Sequence, residues 1–177
     1  MAGQRYRKEQ LNSILKILAE LFETNQVNSW FIAYGTLLGI VRENSCIDYD
    51  DDVDIVCSKN EVGKIQQILK DNNIVIDSNW NTEHFFRTMK TNEYGPVDFY
   101  VASVNNDGDF YDEWEKVIWS QCFKQDDINS KTFIQFNWDN VKLNLPYDYE
   151  KKLENRYGTD WKIPKRSKGI VPKKSIL

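Results

Sequence analysis

The stretch IDYDDDVDIVCS, Ile47 to Ser58, sets five aspartates in the seven residues from Asp48 to Asp54 and then turns apolar, with no lysine or arginine between Arg42 and Lys59. Two carboxylates about 5 Å apart repel by roughly 3 kcal/mol at an effective dielectric near 20, and several such pairs would cancel much of a domain's net stability. A run of this kind is either fully solvated or holds something positive. Its far end argues for the second. Val53, Ile55 and Val56 favour a strand, and side chains alternate along a strand, so Asp52 and Asp54 project together while Val53 and Ile55 enter a core. Two carboxylates on rigid backbone make a hard-oxygen site suited to Mg²⁺ or Mn²⁺, and Asp50 lies one step further back on the same side.

The rest of the chain reads as one α/β (α+β) domain over residues 1–164, followed by a basic tail at 165–177. Its 177 residues, 41% hydrophobic and 28% charged, suffice for a core without staples. A net charge of −4 argues against nucleic acid as a partner, although six Lys or Arg and no acid follow Asp160. That tail is a candidate for anionic glycan, donor phosphate or a membrane surface, with a solvated end as the default. With no transmembrane run and no signal-like opening, the expected location is cytoplasmic, peripheral to a membrane at most. Cys46, Cys57 and Cys122 are odd in number and lack C-x-x-C spacing, so reduced thiols are expected.

Leu11, Ile14, Leu15, Leu18, Leu21 and Phe22 fall at helical spacing between Arg7 and Val27. SWFIAY reads as a strand broken at Gly35, and TLLGIVR as a short helix. A glycine at such a junction lets backbone N–H groups approach an anion, so Gly35 and Thr36 are candidates for a phosphate turn. DVDIVC is the next strand. Ser58 and Glu61 form a capping-box pair opening a helix through Lys70, and NIVIDS is a third strand. HFFRTMKT and VDFYVAS, separated by NEYGP, form an antiparallel hairpin. FYDEWEKVIWSQ fits helix or strand. KTFIQFNW and VKLNLP flank the tight turn Asp139-Asn140, and Tyr149, Leu153 and Tyr157 mark a helix stopped by Gly158.

Asp98, in GPVDFYV, is an acid among strand-forming apolar residues, an expensive place for a lone charge. It is a candidate third metal ligand or base, or else it pairs with Arg87 across the hairpin or caps a turn. Arg87 is correspondingly a substrate ligand or a structural partner. His84, the sole histidine, reads as a partly exposed strand residue. A Gly-Thr turn, a D-x-D strand and a third Asp on a later strand are what metal-dependent phosphoryl or nucleotidyl transfer needs.

YGTLLGIVRENSCIDYDDDVDI resembles the signature of the LicD/fukutin family, Y-G-T-L-L-G-x-x-R followed by I-P-W-D-D-D-x-D. LENRYGTDWKIPK is similar to the family's closing Y-G-x-x-W-x-x-P, so the resemblance runs from Trp30 to Pro164. It implies a nucleotidyltransferase-like mixed sheet flanked by helices. It also implies transfer of a phospho-alcohol group, of the phosphocholine or polyol phosphate type, from a CDP-activated donor to a glycan or other hydroxyl acceptor. By resemblance Asp52 and Asp54 hold the metal with Asp50 or Asp98 assisting, Gly35 and Thr36 form the phosphate turn, and Arg42 pairs with the diphosphate. Asp48 and Tyr49 depart from the family's Pro-Trp, which alters the adjoining pocket.

Two other functions fit parts of the pattern. The same acids serve a nucleotidyltransferase that attaches a nucleoside monophosphate from a triphosphate to a small molecule. From Asp50, D-x-D-x-D with Glu61 at the twelfth position imitates a calcium-binding EF-hand loop, but Ile55 stands where the sharp turn demands glycine.

Overall fold

The computed structural model describes residues 5–125, 131–164 and 175–177. Helix α1 (Lys8–Thr24) buries Leu11, Ile14, Leu15, Leu18, Ala19 and Phe22, the stripe its spacing predicts. It ends where Gln26 adopts a left-handed φ of 54° and Val27 N–H returns to Phe22 O at 2.9 Å. Strand β1 (Trp30–Ile32) leads into α2 (Tyr34–Glu43), then β2 (Val53–Ser58), α3 (Val62–Asp71), β3 (Ile76–Asn81), β4 (Phe85–Thr88) and β5 (Val97–Val104). The hairpin β6 (Phe110–Asp112) and β7 (Val117–Trp119) follows. A second hairpin, β8 (Ile134–Trp138) and β9 (Val141–Leu145), precedes α4 (Tyr149–Tyr157).

The main sheet is mixed, in the order β1-β2-β5-β4-β3, with β6 and β7 continuing from β5. Strands β2 and β5 are parallel, placing Asp54 beside Asp98, while β4 runs antiparallel to β5 and places Arg87 beside the same Asp98. Registered neighbours share a face, so these three side chains stand together. The opposite face carries Phe86 stacked on Phe99 at 4.5 Å, with Phe22 of α1 packed against Phe99. A second aromatic cluster, Phe31, Phe110, Trp119 and Phe133, joins β1 to the β6–β7 hairpin.

Two elements depart from the expectation and a third settles an open reading. NIVIDS is only half strand: Asn73 turns left-handed, Ile74 N–H bonds Leu69 O at 2.9 Å, and buried Ile74 caps α3 instead of opening β3. FYDEWEKVIWSQ resolves as a hairpin, because Asp112 Oδ1 accepts the N–H groups of Trp114 at 2.9 Å and Glu115 at 3.0 Å and so turns the chain. The Ser58 hydroxyl accepts from Asn60 N–H, but Glu61 does not complete a capping box; its carboxylate receives Asn28 and Ser29 N–H instead.

Most of the expected basic tail, residues 165–174, lies outside the described residues. Its end does not: Ser175 and Leu177 bond Ile118 on β7, and Leu177 is buried. All three cysteines are buried and free. Among the described residues no helix is long and apolar enough to cross a membrane.

Candidate active site

Asp54 is the hub. Its Oδ2 accepts Gly35 N–H at 2.9 Å and Thr36 N–H at 3.4 Å, and its Oδ1 accepts the Tyr100 hydroxyl at 3.1 Å. Its own N–H donates to Thr36 Oγ1 at 2.8 Å. The start of α2 thus has the anion its dipole favours, but the anion is the protein's own carboxylate. The Gly35 and Thr36 amides, expected to form a phosphate turn, are here directed at Asp54 Oδ2. The expected break at Gly35 is also displaced, since Tyr34 takes the positive φ of 43° and Gly35 lies within the first turn of α2. Glycine is required there for proximity: a Cβ would stand 2.8 Å from Asp50 Oδ2 and 3.3 Å from Asp54 Oδ2. At Gly39 a Cβ would stand 2.6 Å from Ser45 O, so the loop to Ile47 closes over that position.

Arg87 binds two acids at once. Its Nε and Nη2 donate to the two oxygens of Asp98, the latter at 2.7 Å, and Nη2 also donates to Asp52 Oδ2 at 2.6 Å. Of the two readings for Arg87, the structural partner is the one its contacts realise. Asp50 accepts Asp51 N–H at 3.1 Å through Oδ1 and approaches Gly35 through Oδ2. Asp50, Asp52, Asp54 and Asp98 therefore converge around the start of α2 with one guanidinium among them.

Such a cluster resists ionisation. Burial is the largest cause for all four acids and raises each above the ordinary carboxylate range, Asp50 to about 6. The neighbouring charges of Asp54 and Asp98 raise Asp52 further, while Arg87 pulls Asp52 and Asp98 down without compensating the burial. In donor chemistry the set, carboxylate oxygens alone, fits a hard divalent cation. As the side chains stand, no group of three or more His, Cys, Asp or Glu among the described residues is arranged to hold a metal. Arg87 occupies Asp52 and Asp98, and Asp54 is turned to α2 and Tyr100.

Arg42 is not brought to the acids. It sits at the far end of α2 from Gly35, donating to Glu43 and to Trp161 O. The calcium-loop alternative is excluded, because Val53–Ser58 is strand and Glu61 binds backbone amides. Asp48, where the resembled pattern has Pro, accepts Lys8 N–H at 3.1 Å and anchors the start of α1. His84 is partly exposed, as expected, but lies in the bend just before β4 and not in a strand.

Residue reasoning missed the aromatic surround. Tyr100 is two positions after Asp98, so the same alternation that pairs Asp52 with Asp54 would have found it. Tyr34 donates to Asp112 at 2.5 Å and packs edge-on to Tyr100 at 4.9 Å, and the Arg156 guanidinium lies 4.4 Å over the Tyr34 ring. Burial and the charge of nearby Asp54 both raise the Tyr157 hydroxyl. The opening Y-G-T and the closing R-Y-G, far apart in sequence, meet here.

A mixed sheet with D-x-D at the start of one strand, a third acid on its parallel neighbour and a Gly-Thr helix start beside them is a nucleotidyltransferase fold, and one solved structure agrees. The lincosamide antibiotic adenylyltransferase LnuA, solved with lincomycin bound, superposes with a TM-score of 0.54 at 21% identity, over 85% of this chain and 86% of that one. ANT(2")-Ia in complex with adenylyl-2"-tobramycin gives 0.46 at 18% identity, over 59% and 55%. No curated protein matches the chain. The model of the family described as LicD/FKTN/FKRP, nucleotidyltransferase domain, matches residues 28–148, and the chain belongs to that family. It is a transferase in class.

Proposed function

We propose that this domain is a metal-dependent phosphotransferase that moves a phospho-alcohol group from a CDP-activated donor to a hydroxyl acceptor. The observation that carries the reading is the convergence of Asp52, Asp54 and Asp98 on one sheet face beside the start of α2, with more buried negative charge than Arg87 offsets. Asp52 and Asp54 are the residues that would hold a Mg²⁺ or Mn²⁺ ion, with Asp98 or Asp50 assisting. When bound, that ion supplies Lewis-acid neutralisation of phosphate oxygens.

The chain's own residues account for the rest. The acceptor oxygen forms a bond to the distal phosphorus of the donor diphosphate, the bond from that phosphorus to the bridging oxygen breaks, and CMP leaves with the electron pair. Asp98 accepts the acceptor's hydroxyl proton; burial raises its affinity for a proton, which suits a base, and such a base contributes about 10² to 10⁴ in rate. Arg87 orients Asp98 and Asp52. Tyr100 and the α2 amides hold the Asp54 carboxylate in place beside the start of α2.

A thermal-shift screen tests this. CDP-choline, CDP-ribitol, nucleoside triphosphates and Ca²⁺ are each added with and without Mg²⁺ or Mn²⁺, and CMP release is then followed by mass spectrometry. Stabilisation by a CDP-linked alcohol only with metal is expected, and Asp52→Asn or Asp54→Asn should abolish turnover while leaving the fold intact. A response restricted to triphosphates, with pyrophosphate released, would mark nucleotidyl transfer instead. Turnover surviving in both variants removes the mechanism.

A further inference from the structure

Asp98 divides the open sheet face into two unlike halves. On the β2 side stand Asp52, Asp54 and the start of α2. On the other side, past Arg87 on β4, two indoles face solvent: Trp80 on β3 is 44% exposed and Trp114 in the β6–β7 turn is 41% exposed. They are not loose surface groups. Trp114 stacks on buried Phe85 at 4.6 Å and 20°, Phe85 meets Tyr100 at 5.4 Å, and Tyr100 bonds Asp54. Trp80 meets Trp114 at 6.4 Å and 75°, so the two rings form a corner, and the Arg87 guanidinium lies 5.9 Å from the Trp80 centroid. One guanidinium therefore links the corner to the acids.

Charge says what this corner takes. Lys59 pairs with Glu83 at 2.6 Å, Lys116 with Glu113 at 3.6 Å, and the Arg87 guanidinium beside Trp80 is taken up by Asp52 and Asp98, so each of these cations already has an acid and none is free for a phosphate. The indole faces are electron-rich and favour slightly positive C–H groups laid against them. Direction says which substrate arrives. In-line displacement requires the nucleophile to approach opposite the leaving group. With the donor phosphates drawn to a cation held by Asp52 and Asp54, as proposed above, the acceptor comes from the β4 and β3 side, across Asp98.

We infer that Trp80 and Trp114 form the acceptor platform, and that the acceptor lays an uncharged sugar ring against them with a hydroxyl directed at Asp98. The assignment as acceptor rests on the phosphotransfer reading; the binding of a sugar ring does not.

The test uses the full chain as Trp80→Ala, Trp114→Ala, the double variant and the conservative Trp80→Phe, each with its melting temperature recorded. Calorimetry measures CDP with Mg²⁺, and saturation-transfer NMR measures the neutral disaccharides cellobiose, lactose and N,N′-diacetylchitobiose. The wild type should take up at least one disaccharide through its C–H face. The double variant should lose at least about tenfold in that affinity, Trp80→Phe should keep most of it, and CDP affinity should stay within about twofold throughout. Loss of CDP affinity in the alanine variants would make the corner a nucleobase shelf and overturn the inference. Disaccharide binding unchanged in the double variant, or absent from the wild type, overturns it equally. If the wild type binds sugar through the tryptophans but never CDP, the platform stands and the phosphotransfer reading fails.

Discussion

Arg87 holds two of the site's acids at once. It is the only cation whose contacts the structure shows at Asp52 or Asp98 among the described residues, and removing one partner of a buried ion pair leaves the other charge uncompensated. Arg87→Ala should therefore cost the metal-free protein about 3–5 kcal/mol in urea denaturation. Adding Asp98→Asn to that variant should recover part of the loss, because one of the stranded charges is then gone. A simple sum of the two single effects would mean that the acids are not coupled through Arg87. The acids themselves were legible because a dense run of charge entering an apolar strand has few structural explanations. Their partners were not: Arg87 offered two readings of equal weight, and only the β4–β5 register separates them.

Helices α1 and α3 end by the same device, a left-handed residue followed by a buried apolar one whose N–H reaches back six residues inclusive. Gln26 and Val27 do this for α1, Asn73 and Ile74 for α3. A left-handed conformation strains a residue with a Cβ by about 1–2 kcal/mol, while glycine adds flexibility to the unfolded chain. Gln26→Gly should accordingly stabilise the fold by about 0.5–1 kcal/mol, read as a higher denaturation midpoint at unchanged m-value. Asn73→Gly should gain less, since asparagine already tolerates the conformation. A destabilised Gln26→Gly would show that the side chain has a packing role. These caps also explain which elements could be read in advance. Strands β2, β4, β5, β8 and β9 announce themselves by alternation or by a turn between them. Ile74 looked like strand because a buried cap and a buried strand residue are chemically alike, and β6–β7 stayed ambiguous because its organiser, Asp112, acts through backbone bonds that leave no periodic trace.

At the scale of the whole molecule, the acids make stability depend on pH and cation together. An acid whose folded pKa lies above its unfolded value favours the fold only while protonated. The contribution is fully present below about pH 4 and is lost as the pH rises through the folded value. Asp50, raised from 3.8 to about 6, gives a window from about pH 4 to 6, and the raised Asp52, Asp54 and Asp98 extend the loss to higher pH. In EDTA-treated protein, the stability difference between wild type and Asp50→Asn should therefore move against the wild type across that window, by on the order of 3 kcal/mol for a shift of about two units. The variant, with no charge to bury, lacks that part of the slope. A divalent cation acts in the opposite sense, because it binds the ionised carboxylates that the empty fold disfavours and stabilises by mass action. Millimolar Mg²⁺ should raise the melting temperature clearly at pH 8 and little at pH 5, and the rise should vanish in the Asp52→Asn, Asp54→Asn double variant. An equal rise at both pH values, or one that survives the double substitution, would place cation binding outside this cluster and leave its four acids, two buried and two half-buried, without the role that their charge demands.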